Sequence, residues 1–392
     1  DAAGEAVFVE PKLWAEVAYG AISSQGLLRF PVFQRLRPDL APPAPERTVG
    51  LADTVASVLE QLEAMKESGV LEVEGESVRV SNLSKPLWPA ADGHPPTTKR
   101  DLLRYLARAA SLLLPHLADR PLAIVRFPDG FGGNSFFQKH VEAASPEFVE
   151  HLHLWSSHNQ GARDYLMCNN LPTLLWLGQM AALELHPWYS RARPEPEFTG
   201  QPDYATSEET LDASPLNYPD FMVFDLDPQV KAEAKGTFVA DAYRRTVEVA
   251  QHLKGMLDAL GLRGFVKSSG KSGLHIYVPI ARSYDYDQVR AMAETFGRHV
   301  ERALPELVTM EWVVSKRPDK IFFDHNQNVR GKTLASVYSP RAAPGGTISC
   351  PVRWEDLEGF DPRLTRVAEC DPSTIPASKD WSEMLRLRQR IG

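Results

Sequence analysis

Cysteine is scarce in this chain of 392 residues, which contains three at widely separated positions. Cys168, Cys350 and Cys370 are odd in number and lack the spacing of a metal-binding cluster, so they exclude a disulfide framework and fit a reducing cytosol. The sequence also contains no apolar run long enough to span a bilayer and no pattern of a secretory signal. We therefore expect a cytoplasmic protein with no membrane partner.

An excess of positive charge is also lacking, since 43 Lys and Arg face 51 Asp and Glu, for a formal net charge of −8. This balance argues against a protein that coats nucleic acid indiscriminately, although a local basic patch could still bind DNA. Five basic residues lie close together in the sequence: Lys85, Lys99, Arg100, Arg104 and Arg108. On a helix such a run is usually a solvated face, so charge alone does not decide the function.

Two aspartates separated by one residue follow a strongly apolar stretch. Residues 221–224 (Phe-Met-Val-Phe) predict a buried strand that runs into Asp225 and Asp227. Side chains alternate along a strand, so both carboxylates point to the same face, and Pro228 ends the ladder just beyond them. Two such carboxylates repel each other unless a cation lies between them, and Mg²⁺ or Mn²⁺ is the usual cation. A lone Asp-x-Asp is more often an acidic turn, so the pair needs further support.

A glycine-containing loop follows at residues 267–275 (Lys-Ser-Ser-Gly-Lys-Ser-Gly-Leu-His) and leads into an apolar strand. Backbone N–H groups in such a loop suit phosphate oxygens, and His275 at the start of the strand can donate to a phosphate. A P-loop does not fit, because five residues rather than four separate Gly264 from Gly270 and because a strand follows instead of a helix. The alternative is a polar hairpin with a surface histidine.

A third motif occupies residues 320–328 (Lys-Ile-Phe-Phe-Asp-His-Asn-Gln-Asn), which again predict an apolar strand that ends in a carboxylate, Asp324. Amides follow it, and then Arg330, Lys332 and Arg341. A third aspartate about 100 residues after the first pair could complete a two-metal cage for displacement at phosphorus. Taken alone, Asp324 would be a strand-end cap or a turn residue.

These three motifs, in this order, resemble those of the archaeo-eukaryotic primase superfamily, and most closely those of the polymerase domain of bacterial ligase D. Three upstream segments agree with this resemblance: 80–89 (Val-Ser-Asn-Leu-Ser-Lys-Pro-Leu-Trp-Pro), 135–140 (Ser-Phe-Phe-Gln-Lys-His) and 182–188 (Ala-Leu-Glu-Leu-His-Pro-Trp). The resemblance covers residues 78–385, which we expect to form a primase-polymerase domain.

The resemblance implies that Asp225, Asp227 and Asp324 are catalytic and hold two Mn²⁺ or Mg²⁺ ions, with Asp324 on the primer side. It also implies a set of polar residues that bind the nucleoside triphosphate: Arg126, Ser269, Lys271, His275, Arg317, Gln327 and Arg341. Two of them depart from the family pattern. Lys271 and Ser272 are exchanged relative to the usual order, and Arg126 stands where relatives often have Lys.

The resemblance also implies contacts to the base, the sugar and the DNA end. Phe136 and Phe137 resemble the pair that stacks on the base, although two adjacent phenylalanines alone would more often belong to the core. His186 resembles the residue that contacts the ribose, and a polar donor aimed at the 2′-hydroxyl would favour ribonucleotides. Three residues resemble the pocket for the 5′-phosphate of a gap or recessed end: Asn82, Lys85 and Lys99. The alternative for Lys99 is an exposed lysine at a helix start.

Residues 1–40 resemble a different family. The segments 13–19 and 26–39 resemble the end of the OB domain of ATP-dependent DNA ligases, and too little of that domain is present to close a barrel. No Lys-x-Asp-Gly adenylation motif precedes them, and Leu40 stands where the ligase pattern has Lys, so we do not expect ligase chemistry. The segment is either the tail of a ligase domain in a longer ligase and polymerase chain or a relic in a stand-alone polymerase.

Residues 41–77 predict a proline-rich linker followed by a helix, and a hairpin-like stretch follows at 70–80. Further helices are predicted from apolar periodicity at 98–117, 237–260 and 285–303. Because they alternate with the motif strands, we expect an α/β (α+β) fold with a primase-like mixed central sheet flanked by helices, and a short N-terminal OB-like extension. The stretch 192–220, rich in Pro, Glu and Asp, predicts an inserted flexible flap or loop.

The resemblance implies a primase-polymerase that adds ribo- or deoxynucleotides to 3′ ends at gaps or double-strand breaks in non-homologous end joining. The partners it implies are DNA with 5′-phosphate ends, NTP or dNTP, Ku and a DNA ligase, at the bacterial nucleoid. The alternative is a catalytically weak module that binds or bridges DNA ends for a partner ligase. A metal-dependent nuclease uses similar carboxylates but needs neither the triphosphate loop nor the stacking pair.

Overall fold

The computed structural model describes most of the chain, in the following ranges: 14–18, 21–22, 28–29, 32–37, 50–91, 93–140, 145–157, 159–193, 202–230, 238–317 and 319–391. It divides into two compact units, residues 1–54 and residues 55–392. The strands of the first unit are β1 (Trp14–Ala18), β2 (Ala21–Ile22), β3 (Leu28–Arg29) and β4 (Val32–Arg37). Strand β1 pairs antiparallel with β4, and β2 with β3.

Helix α1 spans Leu51–Ala64, and the remaining elements belong to the second unit. Up to the first motif these elements are β5 (Ser68–Val73), β6 (Glu76–Ser81), β7 (Pro86–Trp88), β8 (Thr97–Thr98), α2 (Lys99–Leu117), β9 (Leu122–Arg126), β10 (Phe136–Gln138), β11 (Glu150–Ser156), β12 (Gly161–Met167), α3 (Leu171–Gln179), β13 (Ala182–Pro187) and α4 (Glu208–Asp212). The elements from the first motif onward are β14 (Phe221–Pro228), α5 (Ala240–Ala259), β15 (Phe265–Ser268), β16 (Leu274–Pro279), α6 (Tyr286–Ala303), β17 (Val308–Thr309), β18 (Ile321–Asp324), β19 (Pro351–Val352) and α7 (Ser378–Met384).

The predicted hairpin near residues 70–80 is present, since β5 pairs antiparallel with β6 from Ser68↔Ser81 to Val73↔Glu76. This hairpin crosses residue 78, where we predicted that the primase-polymerase domain begins, and the compact unit itself starts at Val55. The proposed division at residues 40 and 77 stays a prediction. In the described part of the chain, no helix is both long and apolar enough to cross a membrane.

The three motifs lie in one sheet of six strands, in the order β17-β18-β14-β16-β15-β19. Every neighbouring pair in this sheet is antiparallel except β17 and β18, which are parallel, so the predicted mixed sheet is confirmed. Helices α5 and α6 pack on one face of it through a continuous apolar core. Phe224 contributes to that core, with its ring 5.3 Å from Phe296 of α6 and 5.5 Å from Phe323 of β18.

Helix α6 begins where the sequence gives it a strong start. Asp285 caps the helix and accepts from the backbone N–H of Gln288, while the Gln288 side chain accepts from the Asp285 N–H. Its buried residues recur every three or four positions, as an amphipathic helix requires: Val289, Ala293, Phe296 and Val300. One face of the motif sheet is thereby covered, which leaves the opposite face for polar residues.

A second sheet of five strands, which the sequence did not separate from the first, contains β10-β9-β12-β11, with β13 also paired to β9. It carries the two upstream segments that contain the phenylalanine pair (β10) and His186 (β13). Strand β13 shifts register against β9 between Ala182 and Glu184, an irregularity that re-aims the side chains that follow.

The prediction of a flexible flap at 192–220 is wrong for the part that the structure describes. Leu211 of α4 and Leu216 are buried in a core with Trp188, so they pack as body residues. Arg330, which follows the third motif, pairs with Glu208 and Asp212 of this segment. Apolar residues spaced among the acidic ones anchor the segment, whereas composition alone indicated only polarity.

Candidate active site

Strand register brings the three aspartates of the motifs together. On β14 Asp225 lies directly opposite Asp324 of β18, and Asp227 lies opposite Phe322. Side chains two residues apart share a face, so Asp225, Asp227, Phe322 and Asp324 all lie on the face that α5 and α6 leave uncovered. Residues about 100 positions apart in sequence thus meet through one antiparallel pairing.

Burial and mutual charge outweigh the nearby cations at these carboxylates. Burial raises the pKa of Asp225 well above its usual range, and the charges of Asp227 and Asp324 raise it further. Burial also raises the pKa of Asp227, and the charge of Asp324 raises it further. Asp227 is nevertheless exposed to solvent. Burial raises the pKa of Asp324 as well. Burial therefore disfavours the charged form of all three acids, and neighbouring carboxylates disfavour it further at Asp225 and Asp227.

Gln327 bridges two of the aspartates. Its Nε2 lies 3.3 Å from Asp225 Oδ2 and 3.4 Å from Asp324 Oδ2. Asp225 Oδ1 and Gln327 Oε1 are buried without a hydrogen-bond partner among the described residues. Crowded, uncompensated hard oxygens are what Mg²⁺ and Mn²⁺ bind, so the donor set fits such a cation. Within the described ranges, however, no three His, Cys, Asp or Glu side chains already stand close enough to hold a metal.

The loop between β15 and β16 contains a glycine, Gly270, at a position where no side chain would fit. Gly270 has a φ of +73°, and a Cβ there would come within 2.5 Å of Arg341 Cγ and 2.7 Å of the Ile348 carbonyl oxygen. Ser269 Oγ accepts from the N–H groups of Lys271 and Gly273, so this side chain stabilises the loop itself. The predicted contact of Ser269 with phosphate stays a prediction, and the structure shows this side chain holding the tight loop.

His275 lies at the start of β16, as predicted, and a buried lysine holds its ring. Lys267 Nζ donates to His275 Nδ1 at 2.6 Å and to Ser349 Oγ at 2.6 Å. His275 Nε2 then lies 3.4 Å from Asp225 Oδ1. Burial, followed by the charge of Arg341, lowers the pKa of Lys267 well below its usual range. No local pattern in the sequence indicates this role for Lys267, because a lysine in a loop motif is normally solvated.

Arg341 is a buried cation with unused donors. Its side chain is 8% exposed, and its Nε and Nη1 make no hydrogen bond with the described residues. The nearest carboxylate oxygen, Glu184 Oε1, lies 3.5 Å from Nε and 3.0 Å from Lys271 Nζ. Two cations, Lys271 and Arg341, thus converge on Glu184, and their predicted contact with the triphosphate stays a prediction. Glu184 was missed, since it was seen only as part of a motif.

The aromatic pair lies beside the predicted sugar contact. Phe136 and Phe137 are 45% and 48% exposed, which excludes the core alternative for them. The Phe137 ring lies edge-on to His186 with centroids 5.7 Å apart, and the Arg126 guanidinium lies 5.3 Å from the centre of the Phe136 ring. Arg126 Nε also donates to the Met180 carbonyl, so the Arg126 side chain is held in place beside the Phe136 ring.

Arg317 lies over the uncovered face of the motif sheet. Its guanidinium carbon is 3.3 Å from the centre of the Phe322 ring, and its nitrogens donate to the carbonyls of Glu311 and Trp312. Phe322 is the register partner of Asp227, so Arg317 is placed next to the carboxylates. Its charge lowers the pKa of Asp227, although less than burial and Asp324 raise it.

The predicted 5′-phosphate residues also come together. The Lys99 N–H donates to the Lys85 carbonyl at 3.0 Å, and the Lys85 N–H donates to the Asn82 carbonyl at 3.0 Å. Lys85 Nζ is held by the Pro128 carbonyl at 2.6 Å. Lys99 is 6% exposed, which contradicts the alternative of an exposed lysine, and burial together with Lys85 lowers its pKa. Lys99 is also the first residue of α2, and its backbone N–H and that of Arg100 are bonded to the carbonyls of Lys85 and Leu83.

These positions match a known family. The model of the LigD primase-polymerase domain matches residues 98–377. The chain belongs to the LigD primase-polymerase family. The model of the C-terminal region of ATP-dependent DNA ligases matches residues 1–40, so both resemblances found in the sequence are confirmed.

Relatives of this LigD family domain agree. The multifunctional non-homologous end joining protein LigD of Pseudomonas aeruginosa is 30% identical over 99% of the chain and 42% of its own length. The bifunctional non-homologous end joining protein LigD of Bacillus subtilis is 28% identical over 67% of the chain and 37% of its own length. The chain therefore spans less than half of these relatives.

A solved LigD structure shares the fold. The polymerase domain from Mycobacterium tuberculosis ligase D, solved in complex with DNA, superposes with a TM-score of 0.61 at 28% identity. The match covers 79% of this chain and 93% of that one. The predicted primase-polymerase fold is thereby confirmed for the greater part of the chain.

Proposed function

We propose that the chain is a DNA-directed nucleotidyltransferase that adds ribo- or deoxynucleotides to 3′ ends at gaps or double-strand breaks. The observation that carries the proposal is the meeting of three acidic side chains with basic and aromatic ones. Asp225, Asp227 and Asp324 share one face of the motif sheet, where burial and the neighbouring carboxylates raise the pKa of Asp225. The charges of buried Arg341 and exposed Lys271 reach Asp227, and Glu184 and His186 connect these two cations to the half-exposed aromatic pair.

The carboxylates would hold two Mg²⁺ or Mn²⁺ ions, with Asp225 and Asp227 shared and Asp324 on the primer side. Such ions, when bound, lower the pKa of an attacking hydroxyl and neutralise charge on a pyrophosphate leaving group. The chain itself supplies the geometry of these carboxylates, because register fixes Asp324 opposite Asp225. Gln327 donates to both carboxylates and so holds Asp225 and Asp324 side by side.

The triphosphate would be bound by the donors that the structure leaves unused. Arg341 offers Nε and Nη1, and Lys271 offers an ammonium that is otherwise paired with Glu184 alone among the described residues. Charge-assisted bonds of this kind are the strong ones in a low-dielectric cleft. Gly270 allows the loop to approach phosphate oxygens with its backbone.

Base and DNA-end contacts complete the proposal. Phe136 and Phe137 would stack on a base, a contact that tolerates any sequence and is worth about 1–3 kcal/mol. Lys85 and Lys99 would hold the 5′-phosphate of a gap, since Lys99 Nζ has no acceptor among the described residues. The names of the relatives, and the DNA complex of the solved relative, support a role at DNA ends in non-homologous end joining. We propose Ku and a DNA ligase as its partners in the bacterial cytoplasm.

A second candidate is a module that binds or bridges DNA ends without efficient catalysis. The observation in its favour is that no three candidate ligands among the described residues are already gathered for a metal. In the polymerase proposal, Asp225, Asp227 and Asp324 would hold the divalent ions. In the bridging proposal they would not.

Primer extension on a gapped duplex with a 5′-phosphate separates the two candidates. We expect Mn²⁺-dependent extension by the wild type and at least about a thousandfold loss in Asp225→Ala, since a carboxylate that serves both ions is removed. DNA affinity, measured by anisotropy, should be retained. Asp287→Ala is the matched control, because that side chain is 92% exposed on α6. Binding by the wild type without any extension would establish the bridging module instead.

A further inference from the structure

Glu184 is the most connected side chain of the cleft and has no assigned role. It is 5% exposed and lies on β13 just after the register shift. One of its oxygens, Oε1, faces three donors, at 3.0 Å from Lys271 Nζ, 3.1 Å from the Ala342 N–H and 3.5 Å from Arg341 Nε. The other oxygen, Oε2, lies 2.9 Å from His186 Nε2.

The carboxyl group is ionised in this setting. Burial alone would raise the pKa of Glu184, but the charge of Arg341, the hydrogen bond with His186 and the charge of Lys271 outweigh it and lower this pKa strongly. An ionised carboxylate only accepts hydrogen bonds. The hydrogen between Glu184 Oε2 and His186 Nε2 is therefore carried by His186.

The remaining ring nitrogen of His186 consequently has the opposite character. Burial lowers the pKa of His186, more than the bond with Glu184 raises it, so the imidazole is neutral. A neutral imidazole with its hydrogen on Nε2 has a lone pair on Nδ1. Nδ1 makes no hydrogen bond to another described residue, and the ring lies against half-exposed Phe137. The nitrogen left for a ligand is an acceptor, whereas the sequence led us to expect a donor.

We propose that Glu184 is a positioning residue that sets sugar selectivity, by making His186 present a hydrogen-bond acceptor to the 2′ position of the incoming nucleotide. This inference rests on the proposed nucleotidyltransferase function. A ribose 2′-hydroxyl can donate to Nδ1, whereas 2′-hydrogen cannot and 2′-fluorine would oppose the lone pair. Ribonucleotides are then selected by the hydrogen that their hydroxyl donates.

A series of 2′-substituted triphosphates tests the wild-type protein directly. We expect kcat/KM to be highest for 2′-hydroxyl and 2′-amino, about tenfold lower for 2′-deoxy, and lower again for 2′-fluoro. Equal values across the series, or 2′-fluoro above 2′-deoxy, would overturn the inference and leave the proposed function intact. Failure to incorporate any of the four would overturn both.

The variant Glu184→Gln should reverse the polarity. Because Lys271, Arg341 and the Ala342 N–H are all donors, they keep the amide oxygen on their side and turn the amide NH₂ toward His186. His186 Nε2 then accepts, and its hydrogen moves to Nδ1. We expect the kcat/KM ratio of 2′-fluoro to 2′-deoxy to rise from below one to above one.

Lys271→Met is the matched control, since it removes a charge from the same cluster without touching the bond to His186. It should raise KM for every triphosphate and leave the ratios among 2′ substituents unchanged. A shift of those ratios in Lys271→Met equal to that in Glu184→Gln would attribute the effect to charge and overturn the assignment. If Glu184→Gln does not fold, as judged by thermal unfolding, the wild-type series still decides.

Discussion

An acidic residue lies near each end of strand β14, and the pKa values of the two residues are shifted in opposite directions. Asp220, just before the strand, lies 2.7 Å from Arg120 Nη2 and 3.0 Å from Arg191 Nε, and these cations overcome burial to lower its pKa to about 2. Asp225, five residues on, has its pKa raised by burial and by two more carboxylates. The arginines outweigh burial at Asp220, whereas burial and neighbouring carboxylates outweigh the nearby Lys267 at Asp225.

The largest effect is expected when the compensated end is broken. Asp220→Asn leaves Arg120 buried with no counter-charge from Asp220, and we expect it to lower the free energy of unfolding by about 3–5 kcal/mol. Urea denaturation measures this loss. Asp287→Asn is the control, since its side chain is 92% exposed, and it should change stability by less than about 0.5 kcal/mol. Equal stability of the two variants would show that the arginine cluster does not hold β14 in place.

Acid should weaken the same end. The folded pKa of Asp220 is below its ordinary value of 3.8, so its stabilisation is complete above that pH and is lost as the pH falls toward 2. The loss is on the order of 2 kcal/mol. Measured as unfolding free energy against pH, the wild type should show this decline and Asp220→Asn should not. At the Asp225 end the sign is opposite, because protonation relieves repulsion there.

Lys99 is a buried cation with no acidic partner among the described residues, and its substitution should have a smaller effect than that of Asp220. Burial and Lys85 lower the pKa of Lys99, so Lys99→Met should fold at least as well as the wild type. We expect its preference for 5′-phosphorylated over 5′-hydroxyl gaps, measured as a ratio of affinities, to fall at least about tenfold. Filter binding with the two gapped duplexes measures this, and Lys379→Met, on the exposed surface of α7, is the control. An unchanged preference would remove Lys99 from the end-binding pocket.

The smallest effect is expected at the uncompensated end. Asp225→Asn removes one of three repelling charges, so without divalent ions it should be more stable than the wild type by about 1 kcal/mol. Mn²⁺ should raise the thermal midpoint of the wild type and have much less effect on the variant. Differential scanning fluorimetry with and without Mn²⁺ measures both. A variant less stable than the wild type would mean that Asp225 is a structural residue like Asp220.

The two ends also differ in how far the sequence predicted them. Asp225, Asp227 and Asp324 were predicted to meet because each follows an apolar strand within a motif of fixed order. The compensation of Asp220 was not predicted, since Arg120 and Arg191 lie at distant positions with no local pattern. Glu184 was missed for a related reason: its role comes from a register shift and from cations on other segments. Pairings of this kind depend on tertiary packing, which periodicity does not record.

The hairpin at residues 70–80 and the apolar strands of the three motifs were predicted, because alternation and β-branched residues are local properties. The division into two sheets was not, since nothing local distinguishes β13 and β14 as members of different sheets. The packing of residues 202–220 was likewise hidden, because Leu211 and Leu216 are isolated among polar neighbours.

The pairing of β18 with β14 has one more consequence, for quality control during synthesis. If β18 slipped by a single residue, Phe323 would emerge into the cleft and Asp324 would enter the apolar core beside Phe224. We expect such a chain to be less stable, because a carboxylate would be buried among apolar side chains. The alignment that assembles the acidic cluster is therefore the same one that fills the core with Phe323.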